Sequence, residues 1–122
     1  MKWTTKSLLV LSCVMLFGFT KSKSDVFVED LSNTEWYIMV WDINIHPNAA
    51  EIKFQKEGTL FDERYDSNGK QHLWQASGNE VTFTVNDEFV TYKGKLTSTT
   101  TMVGKAKNIR GSKWKWFAVR IK

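Results

Sequence analysis

From Leu31 to the C-terminus the chain runs in short apolar–polar alternations, each cut off by a turn signal. The signals are Lys56-Glu57-Gly58-Thr59, Asp66-Ser67-Asn68-Gly69, Ser77-Gly78-Asn79-Glu80, Asn86-Asp87, Ser98-Thr99-Thr100 and Asn108-Ile109-Arg110-Gly111. Asn-Gly and Gly-Asn between alternating runs mark hairpins, because tight hairpin turns need residues that tolerate a positive φ. A longer connection, Asn44–Asn48, carries the only proline, Pro47.

Eight runs lie between these breaks: Glu35–Asp42, Glu51–Lys56, Thr59–Tyr65, Lys70–Ala76, Glu80–Val85, Phe89–Thr97, Thr101–Lys107 and Lys113–Ile121. Ile52 and Phe54 sit among Glu51, Lys53 and Gln55; Val81, Phe83 and Val85 sit among Thr82, Thr84 and Asn86. A period of two with many β-branched and aromatic residues is the pattern of half-buried strands. No ten-residue window after residue 24 has helical periodicity. The expected fold class is therefore all-β, an eight-stranded antiparallel up-and-down meander. Pairing the eighth strand with the first removes both open edges and closes a barrel. A two-sheet sandwich of the same strands is the alternative. Outer-membrane strands need about 9–11 residues and an apolar outer band. These runs are mostly six to nine residues, and their outer positions carry Lys, Glu, Gln and Thr.

The N-terminal stretch predicts export. Lys2 and Lys6 precede an apolar run, Ser7–Thr20, and Lys21-Ser22-Lys23-Ser24 follows it. A basic start, a short apolar run and a small-residue exit make a secretory signal peptide, here residues 1–24, with the remainder a single domain over 25–122. The expected location is periplasmic or secreted. Val10-Leu11-Ser12-Cys13 loosely resembles a lipidation site, but the apolar VMLFGFT after it disfavours that reading. With Cys13 removed, the domain has no cysteine and must rely on its core.

Charge is divided along the chain. Residues 25–88 hold four basic and 13 acidic side chains, net −9, and residues 89–122 hold nine basic and none acidic, net +9. Such asymmetry bears on fields and partners rather than on fold.

Several motifs resemble the small bacterial lipocalin-like domains of the calycin group, over about Leu31–Lys122. They are Thr34-Glu35-Trp36 on the first strand, Ile52-x-Phe54-x-x-x-Gly58-Thr59-Leu60, Trp74-x-x-x-Gly78-Asn79-x-Val81-x-Phe83, Tyr92-x-Gly94-x-Leu96, Met102-x-Gly104-x-Ala106-x-Asn108 and Gly111-x-x-Trp114-x-Trp116. The resemblance implies a barrel that holds a small apolar ligand, lipid-like or aromatic, without catalysis. It also implies a basic residue on the last strand packed across the first-strand tryptophan, here Arg120 on Trp36. Thr34 stands where the family usually has glycine, the C-terminal helix of larger lipocalins is missing, and the shorter strands imply a smaller cavity.

With the Trp36 face taken as inward, alternation points Ile38, Phe54, Leu60, Trp74, Phe83, Tyr92, Leu96, Met102, Trp114 and Trp116 inward as well. The expected ligand-lining set is Trp36, Ile38, Phe54, Trp74, Phe83, Tyr92, Trp114 and Trp116; a packed core without ligand uses the same residues. Gly94, Gly104 and Ala106 share that face and leave space beside it. On the opposite face Lys93, Lys95, Lys105, Lys107, Lys113 and Lys115 line three neighbouring strands. They form either a solvated face or a site for an anionic partner or membrane surface. Nucleic acid is not expected, since base stacking would need aromatics among those lysines. Phe117, Val119 and Ile121 share the lysine face although they are apolar. Either a bulge near Trp116 switches faces, or Val26-Phe27-Val28 or a dimer contact covers them; the expected state is a monomer or weak homodimer.

Catalytic and metal-binding residues are not expected, nor is a cofactor. His46 and His72 lie in separate segments, and Asp62, Glu63 and Asp66 read as a solvated acidic turn. Two functions stay open: a ligand-binding barrel, and an interaction module with a packed core that binds through its lysine face. An enzyme would need His46 or His72 beside a carboxylate in a deep cavity.

Overall fold

The computed structural model describes residues 30–41, 43–44, 48–65 and 68–122. The N-terminal 1–24 segment with Cys13, the stretch Val26-Phe27-Val28, and also His46 and Asp66 lie outside the described residues. Eight strands follow in chain order: β1 (Thr34–Trp41), β2 (Ala49–Phe54), β3 (Leu60–Asp62), β4 (Leu73–Ser77), β5 (Glu80–Val85), β6 (Val90–Ser98), β7 (Thr101–Asn108) and β8 (Lys113–Arg120). They form one antiparallel sheet in the order β3-β2-β1-β8-β7-β6-β5-β4. The architecture is an all-β, up-and-down, nearly closed barrel, consistent with a lipocalin-like barrel.

First and last strands pair over six residues, from Trp36 opposite Arg120 to Trp41 opposite Lys115. The thin seam lies instead between β3 and β4. There the strands meet through the Thr59–Leu73 bridge and through the Leu60 N–H, which donates to the His72 carbonyl at 3.0 Å. Trp74 spans the seam: its indole Nε1 donates to the Gln55 carbonyl at 2.9 Å, and its ring meets Phe54 edge-on at 5.4 Å.

Two strands are shorter than the alternation predicts, and side chains explain both. The run Thr59–Tyr65 is extended only over Leu60–Asp62 and then curls into a 3-10 turn, Glu63–Tyr65. Asp62 accepts the Arg64 backbone N–H at 3.0 Å, which bends the chain there. The β4 run begins at Leu73 rather than Lys70, because Lys70 and Gln71 donate their backbone N–H groups to the side chains of Asn68 and Asp87.

The inward face follows the alternation. Trp36, Ile38, Phe54, Leu60, Phe83, Tyr92, Leu96, Met102, Trp114 and Trp116 are all buried, and Trp74 is half-buried at the seam. Leu31 is buried with them at the end of the barrel where the chain enters. Thr34 replaces the glycine of the resemblance to good effect. Its hydroxyl donates to the Leu31 carbonyl at 2.6 Å and accepts the Trp36 indole N–H at 2.9 Å, so the buried indole is satisfied.

β8 carries no bulge. Lys113–Val119 pairs in unbroken register with β7, and the one irregularity lies on β6 between Leu96 and Ser98. Phe117 and Val119 therefore stay on the outer face with the lysines, and no face switch occurs near Trp116.

Candidate functional site: barrel interior and outer basic face

The barrel axis is occupied by rings. Phe83 and Tyr92 stack at 4.7 Å with an interplanar angle of 4°, and Trp116 meets them edge-on at 5.3 and 6.0 Å. Phe54 joins Phe83 to Trp36 through two more edge contacts, at 5.7 and 6.4 Å. The glycines opposite these rings leave no void. Gly94 and Gly104 are register partners, and a Cβ on Gly94 would lie 2.6 Å from the Trp116 ring and 2.3 Å from the Val103 carbonyl. The space that Gly94 vacates on β6 is taken by the Trp116 indole, whose N–H donates to the Lys105 carbonyl at 3.2 Å, while a Cβ on Gly104 would meet the backbone of Lys93 and Gly94 across the pair. Complementary large and small residues across facing strands are how interiors reach their packing density.

One end of this interior is polar. Asp62 is fully buried, and Arg64 grips it with Nε at 2.8 Å from one carboxylate oxygen and Nη2 at 2.6 Å from the other. The guanidinium lies 5.8 Å from the Tyr92 ring centre and 5.7 Å from that of Tyr65. Burial alone would lower the Arg64 pKa. The hydrogen bonds to Asp62 and the pull of Tyr92, Asp62 and Tyr65 outweigh it and hold the guanidinium above its ordinary value. Burial pushes the Tyr92 and Tyr65 phenols up, with Arg64 pulling each the other way. Asp62 is thus not part of a solvated acidic turn. Leu60 and Asp62 share a face by alternation, and an arginine two residues on is the natural partner for an inward acid. That was the signal in the sequence.

His72 holds the same end together. Its Nδ1 accepts the Asn86 backbone N–H at 2.9 Å, tying β4 to β5, and its ring lies 5.6 Å from that of Tyr65. Trp114 meets Tyr92 edge-on at 6.1 Å, and its indole N–H is buried with no hydrogen-bond partner among the described residues. Among the described residues no three His, Cys, Asp or Glu side chains converge as metal ligands.

The outer face is a grid set by register. One row runs Trp41–Lys115–Lys105–Lys93 across β1, β8, β7 and β6. The row beside it, toward the 109–112 turn, holds Lys113 and Lys107 followed by Thr91. On the other side come Met39–Phe117–Val103–Lys95 and then Tyr37–Val119–Thr101. All six lysines are exposed. Trp41, Tyr37 and Val103 are exposed by 45, 42 and 36 %, respectively, which leaves a sizeable apolar surface in water. A shallow hollow of about 450 Å³ lies among the stems of Lys93, Lys105, Lys107, Lys113 and Lys115. At the far edge of the barrel, Arg120 is the register partner of Trp36, and its Nε donates to the Lys122 carbonyl at 3.3 Å.

Scans against protein-family models, curated proteins and solved structures find no match to this chain.

Proposed function

We propose that the protein is a non-catalytic docking module, lipocalin-like in fold, that engages an anionic partner through the outer lysine face of β6, β7 and β8. The observation that carries this reading is the register of the lysines. Lys93 faces Lys105, Lys105 faces Lys115, and Lys107 faces Lys113, directly across neighbouring strands. Like charges directly opposite destabilise a sheet. A sheet that sets such pairs side by side gathers positive charge on one outer face, and an anionic partner would offset their repulsion. Among the described residues, the carboxylates that meet this grid do so at its edges, Glu80 opposite Lys95 and Glu51 opposite Tyr37.

A ligand inside the barrel is the second reading. In its favour stands the orphaned Trp114 indole N–H beside Tyr92, a donor that a bound acceptor would satisfy. Against it stands the ring packing around Trp116, which occupies the space the glycines leave.

Binding of full-length protein to long-chain polyphosphate at increasing salt tests the docking reading. Lys105→Glu with Lys115→Glu should abolish binding. Lys53→Glu with Lys56→Glu, which changes net charge equally on the other side of the barrel, should retain most of it. Equal loss in both pairs would reduce the effect to net charge and overturn the proposal. Binding should weaken steeply with salt, since exposed charges are screened.

A further inference from the structure

We infer that the anionic partner of this face is a lipid bilayer surface, with the apolar rows dipping below the headgroups and the lysine rows lying among them. The inference rests on the docking reading and adds the chemistry of the partner. Three features of the face favour a membrane over an acidic protein.

The first is the layout. Moving along β8, the outward residues are Lys113, Lys115, Phe117 and Val119, so two basic positions are followed by two apolar ones on one strand. β7 repeats the division with Lys107 and Lys105 and then Val103. β1 continues the two apolar rows with Met39 and Tyr37 and ends the central lysine row with Trp41, while on β6 Lys95 closes the row of Phe117 and Val103. A strand rises about 3.3 Å per residue, so each half of the face is roughly 7–10 Å deep. That is comparable to the ~5–10 Å to which interfacial amphipathic helices bury their apolar face.

The second is residue type. The face contains six lysines and no arginine. Protein interfaces are enriched in arginine and depleted in lysine, because a guanidinium fork fixes geometry. Lysine is a flexible point charge whose stem can lie along apolar surface while its ammonium reaches outward. That suits fluid, interchangeable phosphates, each basic residue adding attraction to an anionic leaflet.

The third is the exposed aromatics. Trp41 closes the central lysine row, and Tyr37 lies four residues back on the same face of the strand. Amphipathic rings of this kind prefer the boundary between headgroups and acyl chains. Among the described residues no helix is long and apolar enough to cross a membrane.

The test is co-sedimentation of the full-length protein with vesicles of phosphatidylcholine alone or with a third phosphatidylglycerol. Acyl chains brominated near the glycerol end report insertion by quenching tryptophan fluorescence. The account expects binding to the anionic vesicles at low salt and a quenched component that disappears in Trp41→Phe. Trp41→Ser should weaken binding by ~10-fold, the loss expected for removing one large apolar side chain from the interface. Lys105→Gln with Lys115→Gln, the milder neutral pair, should weaken it further. Vesicle binding that survives the lysine substitutions, or that quenches no Trp41 fluorescence, overturns the membrane inference. If polyphosphate binds but vesicles do not, the partner is an acidic macromolecule: the docking reading stands and this one falls. If neither binds, both fall.

Discussion

Asp62 shows how much one side chain can reorganise. It is a carboxylate inside a barrel of rings, and Arg64 is what makes it tolerable. Removing one partner of a buried pair strands the other, at a cost of about 3–5 kcal/mol. Asp62→Ala should therefore lower stability by that amount in urea unfolding. Asp62→Leu combined with Arg64→Met should recover most of it, because well-packed apolar residues often replace such pairs without loss. Tyr92 offers a second measurement from the same cluster. Its phenol is pushed above the ordinary value of 10.0, mainly by burial. The unfolded chain therefore loses this proton first as pH rises. The contribution is complete below pH 10 and fades as pH climbs from there through the raised folded value. The fall in unfolding midpoint over that alkaline range should be shallower in Tyr92→Phe. An equal slope would mean that the phenol is not held up by its surroundings.

At the level of elements, the seam between β3 and β4 is the weak place in an otherwise continuous ladder. β3 has three residues, and among the described residues a single bridge, from Thr59 just before it to Leu73, links this segment to β4, whereas β6, β7 and β8 pair along most of their length. Local opening follows backbone pairing and burial. Amides of β3 and β4 should exchange with solvent well before those of Tyr92, Met102 and Trp116, as hydrogen–deuterium exchange would show. Uniform protection around the barrel would contradict this. The same contrast explains what could be read in advance. Strands β5 to β8 alternate cleanly, so Phe83, Tyr92, Met102, Trp114 and Trp116 could be placed by parity alone. The end of β3 could not, since a local carboxylate–arginine bond, not periodicity, decides where the chain curls. The seat of Trp116 was half legible: the small residues Gly94 and Gly104 were visible, but only the pairing of β6 with β7 and β8 brings the Trp116 ring against Gly94. Thr34 shows the same limit, since its hydroxyl cap on Trp36 depends on the turn at Leu31.

For the whole molecule, the docking proposal implies that the like charges facing one another across β6, β7 and β8 cost the barrel some stability. Lys105 is the middle rung, with Lys93 on one side and Lys115 on the other. Cross-strand pairs are each worth roughly 0.2–1 kcal/mol, and threonine is a good strand residue. The most direct measurement is the urea unfolding of Lys105→Thr beside the unaltered protein, at low and at high ionic strength. The account predicts that the variant is more stable by about 0.5–1 kcal/mol at low salt, that the gain shrinks as salt screens the ladder, and that affinity for polyphosphate falls. A variant no more stable than the parent at low salt would mean that the lysines do not strain the sheet, and the main argument for a docking face would be lost.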